Sequence, residues 1–173
     1  MKLTQQGFTL IELITVIVLL GILSAFAVSR FPSSQSYSTT VIKNQLIASA
    51  RLAQQTAMSR ASVSSSGQTQ LQVTGDSDNW YLNITSGPVS YSAQVDRGGE
   101  QVRYGTNMLA SCSALTASAT ASASTPLVLT FNGDGNRVPA IALRICVGTP
   151  SSTADIELCI SPSGYAYEGT CLP

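Results

Sequence analysis

Histidine is missing from this 173-residue chain. That excludes Ser–His–Asp and Cys–His nucleophilic centres, which need an imidazole as base. It also removes the commonest zinc ligand, and with no C-x-x-C pair the four cysteines do not suggest a metal site. Charge is scarce as well. Charged residues make up 10% of the sequence and the formal net charge is zero. No basic tail or cluster marks a nucleic-acid surface, because Arg97, Arg103, Arg137 and Arg144 are scattered, each with acids not far off in sequence. Lys2 and Lys43 are the only lysines. The length supports one modest domain beyond any anchor.

Apolar residues, by contrast, are concentrated. Residues 7–28 read GFTLIELITVIVLLGILSAFAV, almost wholly apolar apart from Glu12. Twenty-odd residues at a rise of about 1.5 Å reach about 30 Å, the depth of a bilayer's hydrocarbon layer. A carboxylate inside such a run costs about 2–3 kcal/mol unless it is neutralised or paired. Three plain readings compete for the run. The first is a secretory signal peptide cut after Ala25-Phe26-Ala27; against it stand the lone leader charge, the internal Glu12 and the run's length. The others are a simple anchor and a buried core helix.

The leader MKLTQQ ends in Gly7, followed by Phe8, three more residues and Glu12. G-F-T-L-I-E-L opening an apolar helix resembles the N-terminus of type IV pilins and pseudopilins. The resemblance implies cleavage by a prepilin peptidase between Gly7 and Phe8 and N-methylation of Phe8. It also implies that the helix is kept for assembly. Glu12 would then answer the new Phe8 ammonium, within one chain or from a neighbouring subunit, since a buried charge is tolerable only when paired. Lys2 and Arg30 flank the run evenly, so the positive-inside rule barely orients it. An N-in, C-out topology rests on the resemblance and on the cysteines.

Cys112, Cys146, Cys159 and Cys171 all follow the run. An even number on the exported side reads as two disulfides in an oxidising compartment, with three pairings possible.

Arg30-Phe31-Pro32 closes the apolar run. Pro32 kinks or ends a helix, and the SSQSYSTT that follows is a weak helix former, so a kink or loosened segment is expected over 32–39. The helical signal returns from about Thr39, with Thr39 or Thr40 as cap. Ile42, Leu46, Ala50, Ala53 and Ala57 trace one face, and residues 62–67 end it. Period-two strands are expected at 70–74, 80–84, 89–95, 101–104, 127–131, 138–147, 156–160 and 165–167, with turns at GDSDN, NGDGN and PSG. Sequential strands with short turns imply an antiparallel sheet. Residues 111–125 form a Ser/Thr/Ala-rich loop tethered at Cys112.

The expected fold is therefore α+β: a long N-terminal helix, half apolar and half amphipathic, packed on a C-terminal antiparallel sheet. The expected parts are 1–7 leader, 8–30 membrane and assembly helix, 31–66 amphipathic helix and 67–173 periplasmic β-rich domain.

A looser resemblance lies further on. RLAQQTAMSR, a Trp strand, F-N-G-D-G at 131–135 and I-S-P-S-G at 160–164 are similar to minor pilins and pseudopilins of the FimT/GspH type. TVIVLLGIL, RLAQQTAMSR and the cysteine-bearing tail resemble minor pilins of the mannose-sensitive haemagglutinin (MSHA) pilus. The resemblance implies a non-enzymatic subunit without cofactor that waits in the bacterial inner membrane and then enters a pilus. Its partners would be other minor and major pilins, the prepilin peptidase, the pilus assembly platform and inner-membrane lipid. A pseudopilin of type II secretion and a DNA-capturing minor pilin are the alternatives, and the near-neutral composition argues against the second.

Few residues suggest chemistry beyond this. Asp155 and Glu157 share a strand face, which reads as a solvated edge rather than an acid–base pair. Asp76, Asp78 and Asn79 offer oxygens to calcium but lack the D-x-D-x-D-G spacing, so a plain turn is expected and no metal. Lys43 reads as a solvated surface amine.

Overall fold

The structure is a computed structural model of the chain. It describes residues 9–28, 34–61, 68–107, 112, 115, 120–149 and 155–172. The chain divides into two compact units, Met1–Ser33 and Ser34–Pro173. The first contains helix α1, Leu10–Val28.

The second unit opens with α2, Ser34–Arg60. The helix thus begins five residues before the expected start, and 34–39, expected to be loose, is helical. Thr39 is not a cap. It lies inside the helix, where its hydroxyl donates to Oε1 of the buried Glu100 at 2.7 Å. That tertiary bond gives a weak helix former a reason to stay helical, which propensity by itself does not. Pro32 and the expected terminus at 62–67 lie outside the described residues.

The predicted face of α2 is the buried one. Ile42, Leu46, Ala50, Ala53 and Ala57 are all nearly inaccessible. Burying Ile42 and Leu46 is worth about 1.5–3 kcal/mol each. The three alanines add little area but bring the backbone close to the strands.

Among the described residues nine strands follow: β1 Thr69–Gly75, β2 Asn79–Ser86, β3 Val89–Asp96, β4 Gln101–Gly105, β5 Leu127–Phe131, β6 Arg137–Val138, β7 Leu143–Gly148, β8 Ile156–Ile160 and β9 Ala166–Glu168. Every pairing is antiparallel, as expected. They form two sheets, however, not one: β3-β2-β1-β5-β6 and β4-β7-β8-β9. Residues 138–147 are correspondingly not a single strand. β6 ends the first sheet and β7 joins the second. Pro139, between them, has no N–H to give a ladder. The Arg137 guanidinium instead bonds the carbonyls of Pro139 (3.3 Å) and Ile141 and shapes the crossing.

The core lies between α2 and the inner faces of both sheets. Trp80, Leu71, Val73, Leu129 and Phe131 come from the first sheet, and Val102, Ile145, Val147 and Leu158 from the second. Trp80 lies over Gly75, its register partner. A Cβ there would meet the ring at 2.5 Å.

Candidate functional site

The candidate assembly segment begins at Thr9. Gly7 and Phe8, the expected processing residues, lie outside the described residues. Glu12 is described, and its nearest partner is local. Its Oε2 accepts the Thr9 N–H at 3.2 Å and the Thr9 hydroxyl at 3.1 Å, while the Glu12 N–H donates to Thr9 Oγ1 at 3.3 Å. This is a capping box, T-x-x-E, in which each residue satisfies an otherwise unpaired donor of the first turn. The spacing was present in the sequence as Thr9-Leu10-Ile11-Glu12 and gives Glu12 a second reason to exist. The other α1 hydroxyls are also satisfied within the helix, Thr15 on the Glu12 carbonyl at 2.9 Å and Ser24 on the Leu20 carbonyl at 2.7 Å.

What α1 presents outward is apolar. Leu10 is 76% exposed, and Leu13, Ile17, Leu19 and Leu23 are exposed too. Among the described residues no helix is long and apolar enough to cross a membrane. Side chains are described for residues 10–24 of α1, and the apolar run of the sequence reaches beyond them on both sides.

The globular unit carries a second concentration of chemistry, on the face of the second sheet turned away from the core. Register puts Arg103 opposite Cys146, Cys146 opposite Glu157, and Arg144 opposite Cys159. All of these alternate with the core residues Val102, Ile145, Val147 and Leu158. Both disulfides are on this face. Cys112 bonds Cys146, and Cys159 bonds Cys171. One of the three open pairings is thus selected, because Cys146 and Cys159 sit on neighbouring strands, each facing a different loop.

The same face holds two ion pairs, Arg103–Asp155 at 2.6 Å and Arg144–Glu157. The Asp155 side chain is 7% exposed and the Glu157 side chain 21%. This corrects the expectation of a solvated acidic edge: both carboxylates are largely buried on this face, and each is retained by a guanidinium. Arg103 Nη1 also donates to the Cys112 carbonyl at 3.2 Å, joining the disulfide-bearing loop to the Asp155 segment. Lys43 likewise is not simply solvated, since its ammonium meets Glu168 at 2.9 Å. Arg137 is buried against the Pro139 and Ile141 carbonyls, and burial lowers its guanidinium below the ordinary value.

The two glycine-bearing blocks meet under α2. Gln54 Nε2 donates to the Gly135 carbonyl at 3.1 Å and to the Ser163 carbonyl at 2.9 Å. Gly135 and Gly164 both have φ of 81°. A Cβ on Gly164 would collide with the Gly135 carbonyl oxygen.

The Asp76 turn spends its carboxylate on itself. Oδ1 accepts the N–H groups of Asn79 (2.7 Å) and Asp78 (2.8 Å), and Oδ2 accepts the Tyr81 hydroxyl at 2.9 Å. These bonds, Asn79 first, hold Asp76 below the usual carboxylate range and push the Tyr81 phenol up. Among the described residues no group of three or more His, Cys, Asp or Glu could hold a metal ion.

The chain thus has an apolar helix opened by a capped Thr-x-x-Glu turn in its first unit and a helix packed on antiparallel sheets in its second. Residues 2–28 match the prokaryotic N-terminal methylation motif. The fold is similar to that of the type IV minor pilin FimU of Pseudomonas aeruginosa, with a TM-score of 0.54 at 15% identity over 80% of this chain and 92% of that one. A second crystal form of FimU gives 0.48 at 17% identity, covering 75% and 91%. No curated protein matches the chain. Residues 2–28 thus carry the methylation motif, and the fold is like that of a type IV minor pilin.

Proposed function

We propose that this chain is a minor pilin of an MSHA-like type IV pilus, a structural subunit that helps to initiate or cap the fibre. In this reading the prepilin peptidase removes 1–7, Phe8 is methylated, and 8–30 holds the chain in the inner membrane with its disulfide-bonded domain in the periplasm. The helix then passes from lipid into the fibre, where other minor and major pilins and the assembly platform are its partners. TVIVLLGIL, RLAQQTAMSR and the cysteine-bearing tail resemble in particular the minor pilin subunit called MshC.

The observation that carries this reading is the methylation motif placed directly on the apolar run, in a chain with a pilin-like domain. Glu12 fits it on energetic grounds. A carboxylate kept in an apolar run is tolerable when a cation answers it, and the Phe8 ammonium would lie one turn away.

Intact-mass measurement of the membrane-extracted protein tests the processing. Loss of 1–7 with gain of one methyl is the expected result, and loss of 1–27 overturns the reading. Deleting the gene and scoring surface fibres against enzyme secretion separates a pilus from the runner-up, a type II secretion pseudopilus. Fibre loss with intact secretion is expected.

A further inference from the structure

Strand β3 forms one edge of the five-stranded sheet, and among the described residues no strand pairs with its outer side. Exposed edges are normally blunted by Lys, Pro, a bulge or short length. β3 has none of these protections. It pairs with β2 through eight consecutive residues without a bulge. Its sequence VSYSAQVD holds no proline and no cation, and its single charge, Asp96, is the last residue.

The directions of its backbone groups follow from the turn. Ser86 and Val89 close a two-residue hairpin whose first central residue, Gly87, has φ of 57°. The pair flanking such a turn is the hydrogen-bonded kind, and the kinds alternate thereafter. Val89, Tyr91, Ala93 and Val95 therefore spend their N–H and C=O groups on β2, while Ser90, Ser92 and Gln94 aim theirs outward.

We propose that this edge pairs with the β3 edge of a second copy of the chain, antiparallel about a twofold axis at Ser92. A pairing centred there matches the parity required. Ser92 meets Ser92 of the copy, and Ser90 meets its Gln94, all through outward-pointing groups. It also keeps faces matched, setting Tyr91 opposite Ala93 and Val89 opposite Val95. Tyr91 lies on the core side of the sheet, in register with buried Ile84, yet it is 52% exposed. An added strand would cover that ring.

Charge permits the same partner. No like charges oppose each other in this register, since Asp96 falls beyond the last pair. The outer face nearby is neutral: Ser90, Ser92 and Gln94 adjoin Thr85, Asn83 and Tyr81. The chain's formal net charge is zero, so two copies do not repel.

Cross-linking of the full chain in detergent micelles tests this. Cα atoms of a hydrogen-bonded antiparallel pair are about 5.5 Å apart, within the range a disulfide spans. Ser92→Cys is expected to shift from one chain to a covalent dimer on mild oxidation. Thr85→Cys, one strand further in and at least about 14 Å from its copy, is expected to stay a single chain. Ser92→Pro removes only an outward N–H, so β3 keeps its pairing to β2 while the native dimer is lost by light scattering. An uncross-linked Ser92→Cys with both native disulfides intact would overturn the proposal, as it would if another protein's strand held the edge. Equal cross-linking of Ser92→Cys and Thr85→Cys, which is random collision or association through α1 alone, would overturn it too.

Discussion

Glu12 shows how one side chain can serve two masters. Its Oε2 closes the capping box with Thr9, and its charge is what an assembly partner would read. Glutamine also closes a capping box but carries no charge. Glu12→Gln should therefore leave the helix start intact and abolish any ammonium pairing. Fibre counts by electron microscopy should fall as far as in Glu12→Ala, with the globular unit unchanged. Normal fibres in Glu12→Gln alone would assign the residue to capping. Asp76 makes a quieter prediction. Its lowered pKa means that the turn is favoured while it is ionised, from neutral pH down past the unfolded-state value. That contribution is lost as pH falls through the folded-state value. An NMR titration should place its midpoint below the ordinary carboxylate range. Arg103 is different because it is buried. Arg103→Ala strands the Asp155 carboxylate and should cost about 3 kcal/mol in urea unfolding, whereas Arg103→Met with Asp155→Leu should recover most of it.

Among elements, α2 and its two clients are the clearest case of sequence legibility. The stripe Ile42, Leu46, Ala50, Ala53 and Ala57 is a local period, and the structure buries all five. The early start at Ser34 was not legible, because the Thr39–Glu100 bond joins positions 61 residues apart. β5 was predicted to the residue, since alternation over 127–131 is complete in itself. The stretch 138–147 misled because β6 and β7 are both strands, and only the crossing at Pro139 assigns them to different sheets. The glycine blocks at 131–135 and 160–164 were visible as motifs, but their reason was not. They are two turns that stack, with Gln54 holding a carbonyl of each. Gly164→Ala should cost about 2 kcal/mol or more in stability, since both φ and the Gly135 oxygen oppose a side chain. Gly99→Ala has a positive φ but open space around it, so thermal unfolding should show a smaller loss.

For the molecule as a whole, the disulfides decide how far the loops can stray. Cys112–Cys146 closes 34 residues and Cys159–Cys171 closes 12. Chain entropy makes the first worth about 4 kcal/mol and the second about 3. Replacing Cys112 and Cys146 together by serine should thus lower the urea midpoint more than replacing Cys159 and Cys171. Residue order alone was enough for the fold class: helix, strands and apolar run are all short-range patterns, repeated within a few positions. Residue order did not say which cysteines bond, which acid each arginine holds, or that the strands divide between two sheets. Those depend on residues tens of positions apart arriving on one sheet face, and alternation places a side chain above or below a strand without naming its neighbour.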